Sequence, residues 1–134
     1  MAGLTDSKEN DVLDALLGAS ATLMPDPVYV GLMTSEPNDD GTGVVEPSGG
    51  SYARVSVAND GTKWGVASGG QKANLAVITF PTATADWGTV THYGLFDAAS
   101  GGNLLAYGTL NVARTVLTSD EFRFLAAALV VAID

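Results

Sequence analysis

The clearest alternation of apolar and polar positions lies between Trp87 and Asp97, where Thr89, Thr91, Tyr93 and Leu95 alternate with Val90, His92 and Phe96. β-Branched and aromatic residues at a period of two predict a long strand with two dressed faces. Leu104–Leu110 continues in the same chemistry. The six residues between, Ala98–Asn103, contain Gly101-Gly102, which tolerates the positive φ that a chain reversal needs. The two segments predict a β-hairpin in the middle of a sheet.

Near the start of the chain the period changes. Val12, Leu13, Leu16 and Leu17 follow helical spacing behind Asp6-Ser-Lys-Glu9, which has the form of a capping box, with Thr5 an equally good cap. Gly18 stands where a helix stops. A helix over about 6–17 is some 18 Å long and marginal alone, so its Val/Leu stripe must dock. It packs either across the end of its own sandwich or against a neighbouring subunit or particle surface.

Pro25-Asp26-Pro27 holds the following segment extended, and Val28–Thr34 predicts a strand buried on both faces. Ser35–Gly50 is a run of turn formers and predicts a long loop, the leading candidate for a contact loop. Ser51–Val57 alternates as a half-buried strand, with Tyr52, Arg54 and Ser56 on one side and Arg54 expected as a surface or rim charge. Asn59–Thr62 is a turn, Lys63–Val66 a short edge segment, and Ala73–Phe80 a single strand ended by Pro81. Beyond the hairpin, Val112–Leu117 predicts a modest separate strand. Glu121–Phe124 places Phe122 and Phe124 on one face, Ala126–Ala128 permits a bend, and Leu129–Ile133 closes the chain. About eight strands with turns roughly every ten residues point to an all-β fold. The expected architecture is a jelly-roll-like β-sandwich with one N-terminal helix, forming a single domain over residues 1–134.

The central stretch also carries a resemblance. Trp87-Gly-Thr-Val-Thr-His-Tyr-Gly-Leu-Phe-Asp-Ala, then Gly101-Gly102 and Asn103-Leu-Leu, is similar to the signature of a family of short virion proteins from tailed bacteriophages. These are often labelled tail-fibre-like, and some similar small β-proteins are capsid decoration or cement proteins. Gly3-Leu4-Thr5-Asp6, Leu16-Leu17-Gly18, Tyr29-Val-Gly-Leu, Gly49-Gly-Ser-Tyr-Ala-Arg54 and Phe122–Leu129 extend the likeness over nearly the whole chain. The resemblance implies a non-enzymatic virion structural protein, foremost a decoration protein that binds and reinforces the outer capsid shell. Its implied partners are the major capsid protein and further copies of itself, homotrimers being the usual form of similar decoration proteins. The alternative is a small tail-fibre or tail-tip subunit that meets a host surface receptor or glycan. Either would be made in the host cytoplasm and reside in the virion, on the capsid surface or on the tail.

Composition narrows the partners. Fifteen acidic residues against six basic ones give a net charge of −9, and the basic residues are scattered. This argues against nucleic acid and against anionic membrane, both of which demand clustered Lys and Arg. With no cysteine, disulfides and zinc–thiolate sites are excluded. No basic start followed by an apolar stretch marks a secretory leader, and the apolar run 124–133 is too short to span a bilayer as a helix. A soluble cytoplasmic product is expected.

Candidate chemistry is sparse. The single histidine, His92, lies within the central strand beside Thr91 and Tyr93, and no serine occupies a Gly-x-Ser-x-Gly elbow. Nothing pairs two carboxylates across a cleft, and no glycine-rich stretch has the spacing of a phosphate loop. Trp64 and Trp87 offer stacking faces for a glycan-processing appendage, although Trp87 is expected in the core and Trp64 stands between core and interface. Asn38, Asp39, Asp40 and Glu46 supply hard oxygen ligands, but not in the register of a calcium loop, so a solvated acidic loop is expected and no metal or cofactor is assigned. The candidate interface residues are Leu4, Asn38, Asp39, Asp40, Glu46, Tyr52 and Trp64.

Overall fold

The computed structural model describes residues 3–18 and 24–132. In chain order its elements are β1 (Gly3–Leu4), α1 (Asp6–Leu16), β2 (Val28–Met33), β3 (Val55–Val57), β4 (Gln71–Ala73), β5 (Ile78–Thr79), β6 (Gly88–Phe96), β7 (Leu104–Val116), β8 (Arg123–Phe124) and β9 (Val130–Ala132). The fold is all-β with one helix. Ile133, expected in the last strand, lies outside the described residues.

β6 and β7 form the expected hairpin at the centre of a five-stranded antiparallel sheet ordered β1-β7-β6-β2-β3. Two ribbons, β4-β9 and β5-β8, complete the strand pairing, so the order is not that of two equal jelly-roll sheets. The main core fills the space between sheet and ribbons. Val28, Val30 and Leu32 from β2 meet Phe80, Trp87, Phe124 and Leu129 there. The opposite face of β2 and the hairpin carries a smaller cluster of Met33, Phe96, Leu104 and Tyr107, with Tyr29 and Val44 packed on it. β2 is buried on both faces because the long loop covers the side that the ribbons do not.

Four expectations change. Leu104–Leu110 and Val112–Leu117 are not separate strands: β7 runs through both with a bulge, Val90 pairing with Arg114 and His92 with Thr109. That bulge resets the side-chain alternation of β6, so Val90 joins Tyr93 and Leu95 in the main core instead of facing away from them. Ala73–Phe80 is broken at Asn74, a buried amide whose Nδ2 donates to Ala76 O and Leu125 O while its Oδ1 accepts from Leu129 N. A buried amide is stable only when satisfied, and satisfying this one turns the chain between β4 and β5. Finally, Arg54 is no rim charge, because its side chain is only 5% exposed.

The helix has the expected length but not the expected attachment. Thr5 is its N-cap residue and makes no side-chain cap bond; its Oγ1 lies 3.2 Å from both Leu104 O and Leu105 O instead. This ties the start of α1 to β7. Gly18, at φ +102, follows the C-cap Leu17 as a helix terminator should.

Candidate interaction surfaces

The long loop is fastened at several points. Its stem is closed by Thr34 N donating to Val45 O at 2.9 Å. Its tip is a tight turn in which Asn38 N donates to Thr42 O, and both Thr42 N and Thr42 Oγ1 donate to Asp40 Oδ1. These bonds hold the Asp40 carboxyl below its usual range. Asp39 reaches inward: its carbonyl accepts from Asp6 N at 3.0 Å and its Oδ1 from the Tyr107 hydroxyl at 3.2 Å.

Glu46 and Tyr52 belong to a network around Arg54. The guanidinium meets Glu46 in a two-bonded pair, Nε to Oε1 at 2.9 Å and Nη2 to Oε2 at 3.1 Å. Its Nη1 donates to Ala98 O and Gly101 O, and its plane lies 3.5 Å above the Phe96 ring centre. Glu46 Oε1 also accepts from the Tyr52 hydroxyl at 3.0 Å, and that hydroxyl accepts from Leu32 N at 2.9 Å. β3 stops pairing with β2 at Val30, so the Tyr52 oxygen stands in for the missing ladder partner of Leu32. Burial pushes the Tyr52 phenol well above its ordinary pKa. Gly31 is required beneath the network, since a Cβ there would come within 2.7 Å of Glu46 Oε1 and 2.9 Å of Phe96 Cε2.

The seven candidate residues therefore separate. Glu46 and Tyr52 face the interior network, while Asn38 and Asp40 are exposed at the loop tip with Asp39 half-buried beside them. Leu4 and Trp64 are buried, and both line an apolar pocket of about 270 Å³ between the main sheet and the β4-β9 ribbon. Trp64 Nε1 has no hydrogen-bond partner among the described residues. Trp87 is buried with its Nε1 donating to Gly50 O at 2.8 Å, so neither tryptophan presents a ring face for a sugar.

Asn38, Asp39, Asp40 and Glu46 do not converge as metal ligands, because Glu46 is committed to Arg54. The acids that approach one another are Asp6, Glu9 and Asp39, with carboxylate oxygens within 4.8 Å. His92 Nδ1 is 2.7 Å from Thr91 Oγ1, and its Nε2 is 3.6 Å from Glu36 Oε2.

Two exposed surfaces stand out beyond the loop. No residue of α1 is buried, and only Val12 of its stripe packs against the core. Leu13, Leu16 and Leu17 are 55%, 72% and 81% exposed, so only the Val12 edge of the stripe docks on the chain's own sandwich. The second surface is the far part of β7. Beyond Tyr107 no described strand pairs with its outer side, and Thr109–Thr115 is exposed or half-buried. Sequence reasoning missed this edge because Arg114 stood in what read as an ordinary short strand.

The family model described as Podophage GP4 fiber I protein gp80 matches residues 3–132. No curated protein matches the chain. Among the described residues, no helix is long and apolar enough to cross a membrane.

Proposed function

The chain belongs to the family of the podophage GP4 fiber I protein gp80, and on that premise we propose that it is a non-enzymatic subunit of a tail fibre. Membership makes it a fibre or other structural protein of the phage virion. The family match is the observation that carries the fibre assignment. The surfaces agree with it: an acidic loop tip and an apolar helix face project from a body locked by the Arg54 network. In this reading the subunit assembles with copies of itself and with another virion protein, and one exposed end meets the host surface. Neither nucleic acid nor membrane is a partner.

The capsid-decoration role predicts a different address in the same particle. Quantitative mass spectrometry of purified virions separates the two by copy number against the major capsid protein. A small fraction is expected for a fibre; abundance near that of the capsid protein would overturn the fibre reading and place the chain on the shell. Particles lacking the protein are expected to keep intact capsids and lose adsorption.

A further inference from the structure

The exposed helix face and the exposed strand edge have opposite character. On α1, Leu13, Leu16 and Leu17 share an exposed side by helical spacing, with the exposed Asp14 on its flank, so this face is apolar with an acid at its margin. Beside the outer edge of β7 lies a groove of about 220 Å³ lined by Leu110, Val112 and Phe122, with Arg114 and Arg123 along it and no carboxylate in its lining. Among the described residues neither arginine's side chain takes part in a hydrogen bond or ion pair. Asp120 and Glu121 border the adjoining groove; Asp120 Oδ2 already accepts from Leu117 N.

The two surfaces do not meet within one molecule: Leu13, Leu16 and Leu17 are exposed and no residue of α1 lines the groove. α1 is tied to β7 at Leu104 and Leu105, whereas the groove lies around Thr109–Arg114, roughly 20 Å farther along at about 3.3 Å per residue, less what the bulge takes up. We propose that the leucine face of α1 from one copy seats in the β7-edge groove of a second copy, with Asp14 against Arg114 and Arg123. Like-with-like contacts are disfavoured. Two helices face to face would oppose Asp14 with Asp14 in a chain of net charge −9, and two β7 edges would oppose Arg114 while the bulge interrupts their ladder. The contact is therefore head-to-tail, and repeats into a ring or a filament according to its rotation. It rests on the reading of this chain as a self-assembling subunit, but it is tested on the purified protein without any virion.

The experiment is sedimentation velocity on three samples at low salt, with a thermal melt of each to check folding. Wild type is expected to associate, and to dissociate as salt screens the charged contacts. A groove variant, Arg114→Glu with Arg123→Glu, and a helix variant, Leu13→Ser with Leu16→Ser, are each expected to lose association by about tenfold or more. Mixed together they should recover a two-copy complex and go no further, because one supplies an intact helix and the other an intact groove. Asp14→Lys, which keeps the leucines, should bind the groove variant better than wild type does. Wild type that stays monomeric, variants that associate normally, or a mixture that remains monomeric would overturn the contact. A failed copy-number test would leave these results untouched.

Discussion

Within β7, Leu104–Gly108 is buried throughout, whereas Thr109–Thr115 is exposed or half-buried, although both halves belong to one strand paired to the same neighbour. The difference lies in what covers the outer side. The near half has β1 on its edge, Thr5 on its carbonyls and Asp39 on Tyr107. The far half has a groove and two arginines. A strand's own composition does not decide which part is interior; the partners placed against it do, and a stretch without internal partners keeps an open edge.

The largest effect should come from the network that supports the near half. Arg54→Ala leaves Glu46 half-buried without its cation and frees the carbonyls of Ala98 and Gly101 in the loop that leads into β7. Breaking a buried pair from one side costs about 3 kcal/mol, which lowers the Tm of a domain this size by roughly 10 °C. Arg114→Ala, in the far half, should leave the monomer's melt within about 0.5 kcal/mol of wild type. Equal losses from the two arginines in calorimetry would erase the distinction between the halves.

Tyr52→Phe is the next test. It deletes the oxygen that accepts from Leu32 N at 2.9 Å and leaves a buried amide without a partner. The expected loss is about 1–3 kcal/mol, with the ring packing on Trp87 and Phe80 kept. Urea unfolding with an unchanged slope and a lower midpoint would confirm a local hydrogen-bond loss; an unchanged midpoint would mean the Leu32 amide finds another partner.

The fold was legible where one face of a segment decides its period. The hairpin, β2, the helix bounds and the Phe122/Phe124 pair followed from spacing, because alternation and helical stripes record which side meets the core. Asn74 was not legible: its role depends on Leu125 and Leu129, about fifty residues away in sequence, and nothing local marks a polar side chain as buried. Arg54 failed for the same reason, since its partners come from two loops and Phe96. β1 is only two residues long and carries no period at all. Of the interface candidates, Asn38 and Asp40 do project from the loop tip, but Glu46 and Tyr52 turn inward. The helix stripe was visible in the sequence, but spacing alone does not say how much of it docks; in the fold Val12 packs on the core while Leu13, Leu16 and Leu17 stay exposed.

A pH series sharpens the comparison at the turn entering β7. Asp97 Oδ1 accepts from Asn103 N at 2.7 Å and Oδ2 from Asn103 Nδ2 at 2.9 Å, and these bonds hold its carboxyl below the ordinary carboxylate range. A lowered folded pKa means stability that is present above the unfolded value, near 3.9, and lost as pH falls through the folded value. Asp97→Ala should therefore melt below wild type at pH 7, and the gap should close as acid protonates the wild-type side chain. Because Asp97 is largely solvated, the effect is expected to be smaller than that of Tyr52→Phe. A gap independent of pH would assign the loss to the packing of the turn and not to its charge.

The smallest energies, and the finest distinction, belong to hydrogen exchange along β7. Ala106 and Tyr107 lie between two strands, paired with β1 on one side and β6 on the other. Their amides should exchange only through openings that approach global unfolding. In the bulge, residues 110–113 fall between the Thr109 and Arg114 pairings, so their amides should exchange through local openings, faster by orders of magnitude. If the head-to-tail contact forms, raising the protein concentration should slow exchange at 110–114 and along α1 together, while Ala106 and Tyr107 stay as they were. Slowing at only one of the two surfaces would mean that the helix and the edge answer to different partners, and the two halves of β7 would then differ in stability alone.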